Sequence, residues 1–285
     1  MTPPAFPSTA INSARKIWLA ALAVIATSGG LEIFTSWDAH QRVAVDARER
    51  VGADARLIEA QMASLLRNID STLNQVVLET TQNGSCEQLQ IQRFGRLFPE
   101  FYSITVIDRQ GINLCASRTE LIGLDQSAYD YFNRERSLPR ANVMTIEKPM
   151  VSSTSGIPIL ILRKSVVSAA GQLRFIVQVS IDLRHFDRFL RPLQRNAQAV
   201  FIVHDSGLLL SRQPDPELFR FKDVSESFPA FSEHRQGGQS SSTHRVKSAL
   251  DGTRSGILTL ACPMTGDKAI LRSPATPHAL SWQTY

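Results

Sequence analysis

Residues 158 to 182 read PILILRKSVVSAAGQLRFIVQVSID. Apolar, largely β-branched residues fill two runs, Pro158 to Ser168 and Gln172 to Ile181, and Ala169-Ala170-Gly171 separates them. That pattern predicts two long antiparallel strands joined by a tight turn. Side chains alternate along a strand, so Arg163 shares a face with Ile159, Ile161, Ser165 and Val167. If that face is internal, the guanidinium needs an anionic partner, which either a ligand or the protein must supply.

The same alternation continues on both sides. Tyr102 to Asp108, a turn through Arg109-Gln110-Gly111, and Ile112 to Ser117 predict a hairpin; Ser127 to Arg136 predicts a short helix, and Asn142 to Val151 leads into the long pair. Leu183 to Leu193 reads as a helix, after which Ala199 to His204, Asp205-Ser206-Gly207 and Leu208 to Arg212 repeat the earlier hairpin. ITVIDRQG at 104 to 111 and FIVHDSG at 201 to 207 are two copies of an apolar strand ending in an Asp-containing glycine turn. The repeat predicts two similar sheet modules in tandem, and the fold class is α+β.

Toward the N-terminus, Val51, Ile58, Met62, Leu65, Ile69, Leu73 and Val76 recur at helical, nearly heptad spacing in a proline-free stretch that stops at Asn83-Gly84. The stripe serves either to pack the helix on its own domain or to pair it with a second copy. Ahead of it, residues 17 to 37, IWLAALAVIATSGGLEIFTSW, are apolar apart from Glu32 and long enough to cross a bilayer, which takes about 20 residues. A retained anchor and a cleaved signal peptide both fit, and either exports the chain beyond residue 38.

Composition excludes several functions. The charge of +5 is spread as arginines among acids, with no basic run that would mark a nucleic-acid surface. Cys86, Cys115 and Cys262 have no C-x-x-C spacing, and the six histidines include no pair at metal-ligating spacing, so neither a metal nor a cofactor is expected. His204-Asp205-Ser206 has the residue types of a catalytic triad, but consecutive residues point different ways and form a turn.

The order of elements, with Asp108 to Gly111, Tyr131-Phe132, Leu162-Arg163-Lys164, Gly171, Asp182 and then the second glycine turn, resembles the double Cache family over about residues 40 to 262. These are PAS-like periplasmic sensor domains of bacterial diguanylate cyclases, sensor kinases and chemoreceptors. The resemblance implies a cytoplasmic N-terminus (1 to 16), a single inner-membrane helix (17 to 37), a stalk helix (38 to 84), a membrane-distal module (85 to 195), a membrane-proximal module (196 to 262) and an irregular tail (263 to 285). It also implies a non-enzymatic chain in the periplasm that binds a small molecule and dimerises through Val51, Ile58, Met62 and Leu65. The output domain is expected to be absent from this chain. A truncated input half of a cyclase or kinase, or a periplasmic scaffold without a ligand, are the alternatives.

Its implied ligand set is Tyr129, Tyr131, Met144, Arg163 and Asp182. Tyr131 and Phe132 have the competing task of packing their helix on the sheet, and Asp182 that of capping the helix after it. Amino-acid-binding members carry an arginine two residues before the aromatic pair; Tyr129 stands there, which argues against a carboxylate clamp. The resemblance further implies a Cys86–Cys115 disulfide with Cys262 free, against the alternative of reduced thiols in the core.

Overall fold

A computed structural model describes residues 8–83, 86–194, 198–226, 229, 231, 233, 241–247, 255–261 and 278–284. Helix α1 (Ser8–Asn83) ends where the Asn-Gly signal places its C-terminus. The chain divides into two compact units, Met1–Arg50 and Val51–Tyr285. In the first, the helical backbone takes in residues 17 to 37, and Trp18, Leu22, Ile25, Leu31, Phe34 and Trp37 are exposed. Among the described residues, no helix is long and apolar enough to cross a membrane.

In the second unit, α2 (Gln88–Leu97) leads into β1 (Phe101–Asp108) and β2 (Asn113–Ala116), followed by α3 (Asp130–Ser137), β3 (Thr145–Ile146), β4 (Met150–Val151), β5 (Pro158–Val167) and β6 (Leu173–Asp182). These strands form one antiparallel sheet in the order β2-β1-β6-β5-β3, with β4 also on β5. The hairpin at 158 to 182 is β5 and β6, the two longest strands, placed at the sheet's centre and edge-protected by β1 and β3. After α4 (Arg184–Leu190), β7 (Gln198–Val203), β8 (Leu209–Gln213), β9 (Ser241–Lys247), β10 (Ser255–Ala261) and β11 (His278–Thr284) form a second sheet in the order β8-β7-β11-β10-β9. Both sheets place their second strand at an edge, then the first, the last, the last but one and the third.

The segment 263–285, expected to be an irregular tail, therefore needs correcting. Its residues His278–Thr284 are a strand inserted between β7 and β10, with Leu280 opposite Phe201 and Leu260. Ladder partners far away in sequence supply the backbone hydrogen bonds that its weak local pattern did not advertise.

One face of the first sheet and α1 share a core. Ile58, Met62, Leu66, Ile69, Leu73 and Val76 pack with Ile104, Val106, Leu160, Leu162, Val177 and Val179, and the same cluster takes in Val200, Ile202 and Leu210 of the second sheet. At about 25 cal/mol per Å2, such a stripe of buried aliphatic side chains is the main force holding the helix to both sheets. Lys164, on this face, pairs with Asp70 at 2.7 Å and donates to Asn74 Oδ1 at 2.7 Å. The dimer expected through Val51, Ile58, Met62 and Leu65 meets a difficulty here. The first three are no more than 2% exposed within one chain, so the stripe is consumed by its own domain.

Cys86 and Cys115 are disulfide-bonded, with Cα atoms 6.3 Å apart, fastening the entry to α2 onto β2. Cys262 lies outside the described residues.

Candidate functional site

The face of the first sheet turned away from α1 is polar where the other is aliphatic. Ser103 on β1 and Gln178 and Ser180 on β6 stand on it beside Ile159 and Ile161 of β5. A cavity of about 60 Å3 opens over them, roofed by Leu121 and Leu124, by Gln126, Tyr129 and Tyr131 at the start of α3, and by Ser152, Ser153 and Thr154 after β4. The roof is held by its own hydrogen bonds: Tyr129 Oη and Ser153 Oγ lie 2.8 Å apart, and Tyr131 Oη donates to Gln126 Oε1 at 3.0 Å. The two tyrosine rings stack with centroids 5.6 Å apart.

Gly111 sets the roof's height. Its φ is +100°, and a Cβ there would come within 2.9 Å of the Ser127 amide. Gly111 O in turn accepts from Gln126 N at 2.7 Å, so the hairpin turn anchors the loop that carries Gln126 into the cavity.

Of the expected ligand set, Tyr129 and Tyr131 line the cavity. Arg163 lies behind Tyr131, its Cζ 4.6 Å from the ring centroid, 1% exposed. Its Nη2 donates to Glu147 Oε1 at 2.5 Å and stands 3.6 Å from Glu135 Oε1, while Arg134 holds the other Glu147 oxygen at 2.6 Å. The anionic partner demanded by the sequence is therefore supplied by the protein. Burial pushes the Arg163 guanidinium's pKa down, and the two carboxylates oppose that push. Tyr131 is raised by burial, with Arg163 acting the other way, so its phenol stays a donor at ordinary pH.

Asp182 sits at the sheet's end, where its Oδ1 accepts from Arg184 N at 2.9 Å and its Oδ2 pairs with Arg184 Nη2 at 2.6 Å. Burial alone would raise this carboxyl, but the Arg184 hydrogen bonds outweigh it and hold it below the usual range. Met144 belongs to the core shared with α1. The sequence reading missed Asn113, Gln126 and Gln178. The signal was present in β6, where Gln178 and Ser180 fall on one face of the otherwise apolar run from Phe175 to Ile181, an unusual placement unless that face meets something polar.

No family model matches the chain, and no curated protein matches it. Solved structures do. The extracellular domain of a protein designated histidine kinase rpHK1S-Z16 superposes with a TM-score of 0.68 at 17% identity, covering 84% of this chain and 96% of that one. The ligand-binding domain of the Pseudomonas aeruginosa PAO1 amino acid chemoreceptor PctC, in complex with GABA, gives 0.57 at 18% identity over 82% of this chain and 97% of its own. That of the Pseudomonas fluorescens chemoreceptor CtaA, in complex with L-isoleucine, gives 0.58 at 16% identity over 86% and 95%. The chain thus has the fold of the extracellular domain of this kinase and of the ligand-binding domains of these chemoreceptors, and none of the three is a catalytic domain.

Proposed function

We propose that this protein is an extracytoplasmic sensor domain that binds a small molecule in the cavity over the first sheet. The observation that carries the reading is the built polar cavity itself: two stacked tyrosines, a serine-rich roof and an amide floor, on a fold whose solved examples include ligand complexes. In this reading the two sheets are tandem PAS-like modules, the first distal and the second proximal to the membrane. Residues 17 to 37 anchor the chain in a bacterial inner membrane, supported by their nearly uncharged sequence and by the exposure of Trp18, Leu22, Ile25, Leu31, Phe34 and Trp37. A homodimer would use the face of α1 carrying the exposed Leu57 and Leu78 rather than the buried stripe. Tyr129 and Tyr131 contact the ligand, and Arg163 holds Tyr131 in place.

A thermal-shift screen of the soluble portion tests the proposal. A ligand that binds only the folded state raises its stability by RT ln(1 + [L]/Kd). A saturating small molecule should raise Tm, and Tyr131→Ala should abolish the rise. A wide panel of organic acids, amines, amides, polyols and purines without one shift would count against the sensor reading.

A further inference from the structure

Among the described residues, the cavity's floor contains two acceptors with no donor. Asn113 and Gln178 are 2% and 8% exposed, and neither Asn113 Oδ1 nor Gln178 Oε1 accepts a hydrogen bond from a described residue. The orientation of Asn113 is fixed, because its Nδ2 donates to Leu121 O at 2.7 Å and leaves the oxygen turned to the other side. Both residues line the cavity. Asn113 pairs with Ile107 and Gln178 with Thr105, so the two acceptors stand on the strands flanking β1, two residues apart along it, their backbones about 12 Å apart. Burying an acceptor without a donor carries the full cost of stripping its water, a penalty that a donor arriving with the ligand removes.

Charge is the second observation. No side chain among the described lining residues is an acid, a lysine, an arginine or a histidine. The nearby ions are already matched to each other, Arg163 and Arg134 with Glu147 and Glu135, and Asp182 with Arg184. A carboxylate or an ammonium would enter without a counter-ion, and burying an unpaired charge is far costlier than burying a satisfied amide or hydroxyl.

We propose that the ligand is a small uncharged molecule carrying at least two N–H or O–H donors, one directed to Asn113 Oδ1 and one to Gln178 Oε1. Its apolar part lies against Ile159 and Ile161. The inference rests on reading this cavity as the ligand site, and its test separates the two.

Three probes share one size and shape: lactamide is neutral with amide and hydroxyl donors, alaninamide keeps the amide donors and adds a positive charge, and lactate is an anion with the hydroxyl donor alone. Calorimetric titration of the soluble domain at pH 7 is expected to detect lactamide and to find lactate and alaninamide at least tenfold weaker. Lactate or alaninamide binding as tightly as lactamide would overturn the proposed ligand class while leaving a ligand-binding site. If all three fail and a panel of neutral amides, ureas and polyols fails with them, the cavity is not a ligand site and both readings fall. Gln178→Met should weaken lactamide about three- to tenfold. Gln178→Glu should invert the preference toward alaninamide, and unchanged selectivity in a folded Gln178→Glu protein would refute the role given to Gln178. The wild-type series decides the question even where a variant does not fold.

Discussion

His204 occupies in the second hairpin the place that Asp108 occupies in the first. Asp108 N donates to Ile112 O and His204 N to Leu208 O, both at 2.9 Å, while Gly111 N and Gly207 N return to Asp108 O and His204 O. Asp108 Oδ1 accepts from Gln110 N at 2.8 Å, and His204 Nδ1 accepts from Ser206 N at 3.1 Å. The match extends further: Asp125 and Asp223 each bridge back to the hairpin at Ile112 and Leu208, and each takes the amide two residues on, Ser127 or Ser225. Matching Asp108 with Asp205 by residue type is therefore off by one position, since the turn needs a side-chain acceptor and an imidazole nitrogen serves as well as a carboxylate.

Because the acceptor is what matters, His204→Asn should keep most of the stability and His204→Leu should lose about 1 kcal/mol or more. Urea midpoints of the two variants, compared at equal m-value, check this. Equal loss in both would show that packing and not the acceptor is at stake.

The glycines at these turns are not equivalent to those elsewhere. Gly111 and Gly171 both have positive φ, but a Cβ on Gly111 meets Ser127 at 2.9 to 3.0 Å whereas one on Gly171 meets nothing within 4 Å. Gly171→Ala should cost only the backbone term, about 1 kcal/mol, and Gly111→Ala clearly more, with loss of ligand response because the roof is displaced.

Replacing the Arg163 guanidinium leaves the buried Glu135 without its cation and Glu147 with Arg134 alone. Glu135 is 3% exposed, and among the described residues the side-chain hydrogen bond it accepts comes from Ser165 Oγ at 2.6 Å. Arg163→Met is expected to destabilise by about 3–5 kcal/mol, and adding Glu135→Gln and Glu147→Gln should recover part of it. Chemical denaturation of the single and triple variants reads the difference; no recovery would mean that the arginine acts through packing on Tyr131.

Reduction should weaken the fold. The disulfide joins residues 29 apart in sequence, and closing a loop of that length contributes about 3 to 4 kcal/mol on the chain-entropy model. Tm measured with and without dithiothreitol, and for Cys86→Ser with Cys115→Ser, should fall together.

Acidification should destabilise the protein through His185. Its pKa is lowered by burial, with Glu100 opposing and Arg188 assisting. The folded state thus binds its proton less readily than the unfolded state, so the stability this group contributes is present above the ordinary histidine value of about 6.5 and is lost as pH falls through the depressed one. Asp182, also depressed, continues the loss at lower pH. His185→Gln should flatten Tm against pH just below pH 6.5 and leave the more acidic limb unchanged.

The hairpin at 158 to 182, the helix ending at Asn83, the turn glycines and the pairing of Cys86 with Cys115 were legible in the sequence, the last through family resemblance. Each depends on local rules, alternation, capping and allowed φ, that a short window contains, or on an order of motifs along the chain. Tertiary structure decided the rest. It placed His278–Thr284 inside the second sheet, turned the stripe from Val51 to Val76 toward the chain's own core, and matched Arg163 with Glu147 and Glu135 rather than leaving it to a ligand. It also gathered Asn113, Gln126 and Gln178 from three separate segments around one cavity. Strand partners, counter-ions and cavity walls lie far away in sequence, and which of them meet is fixed only when the sheets close on the helix.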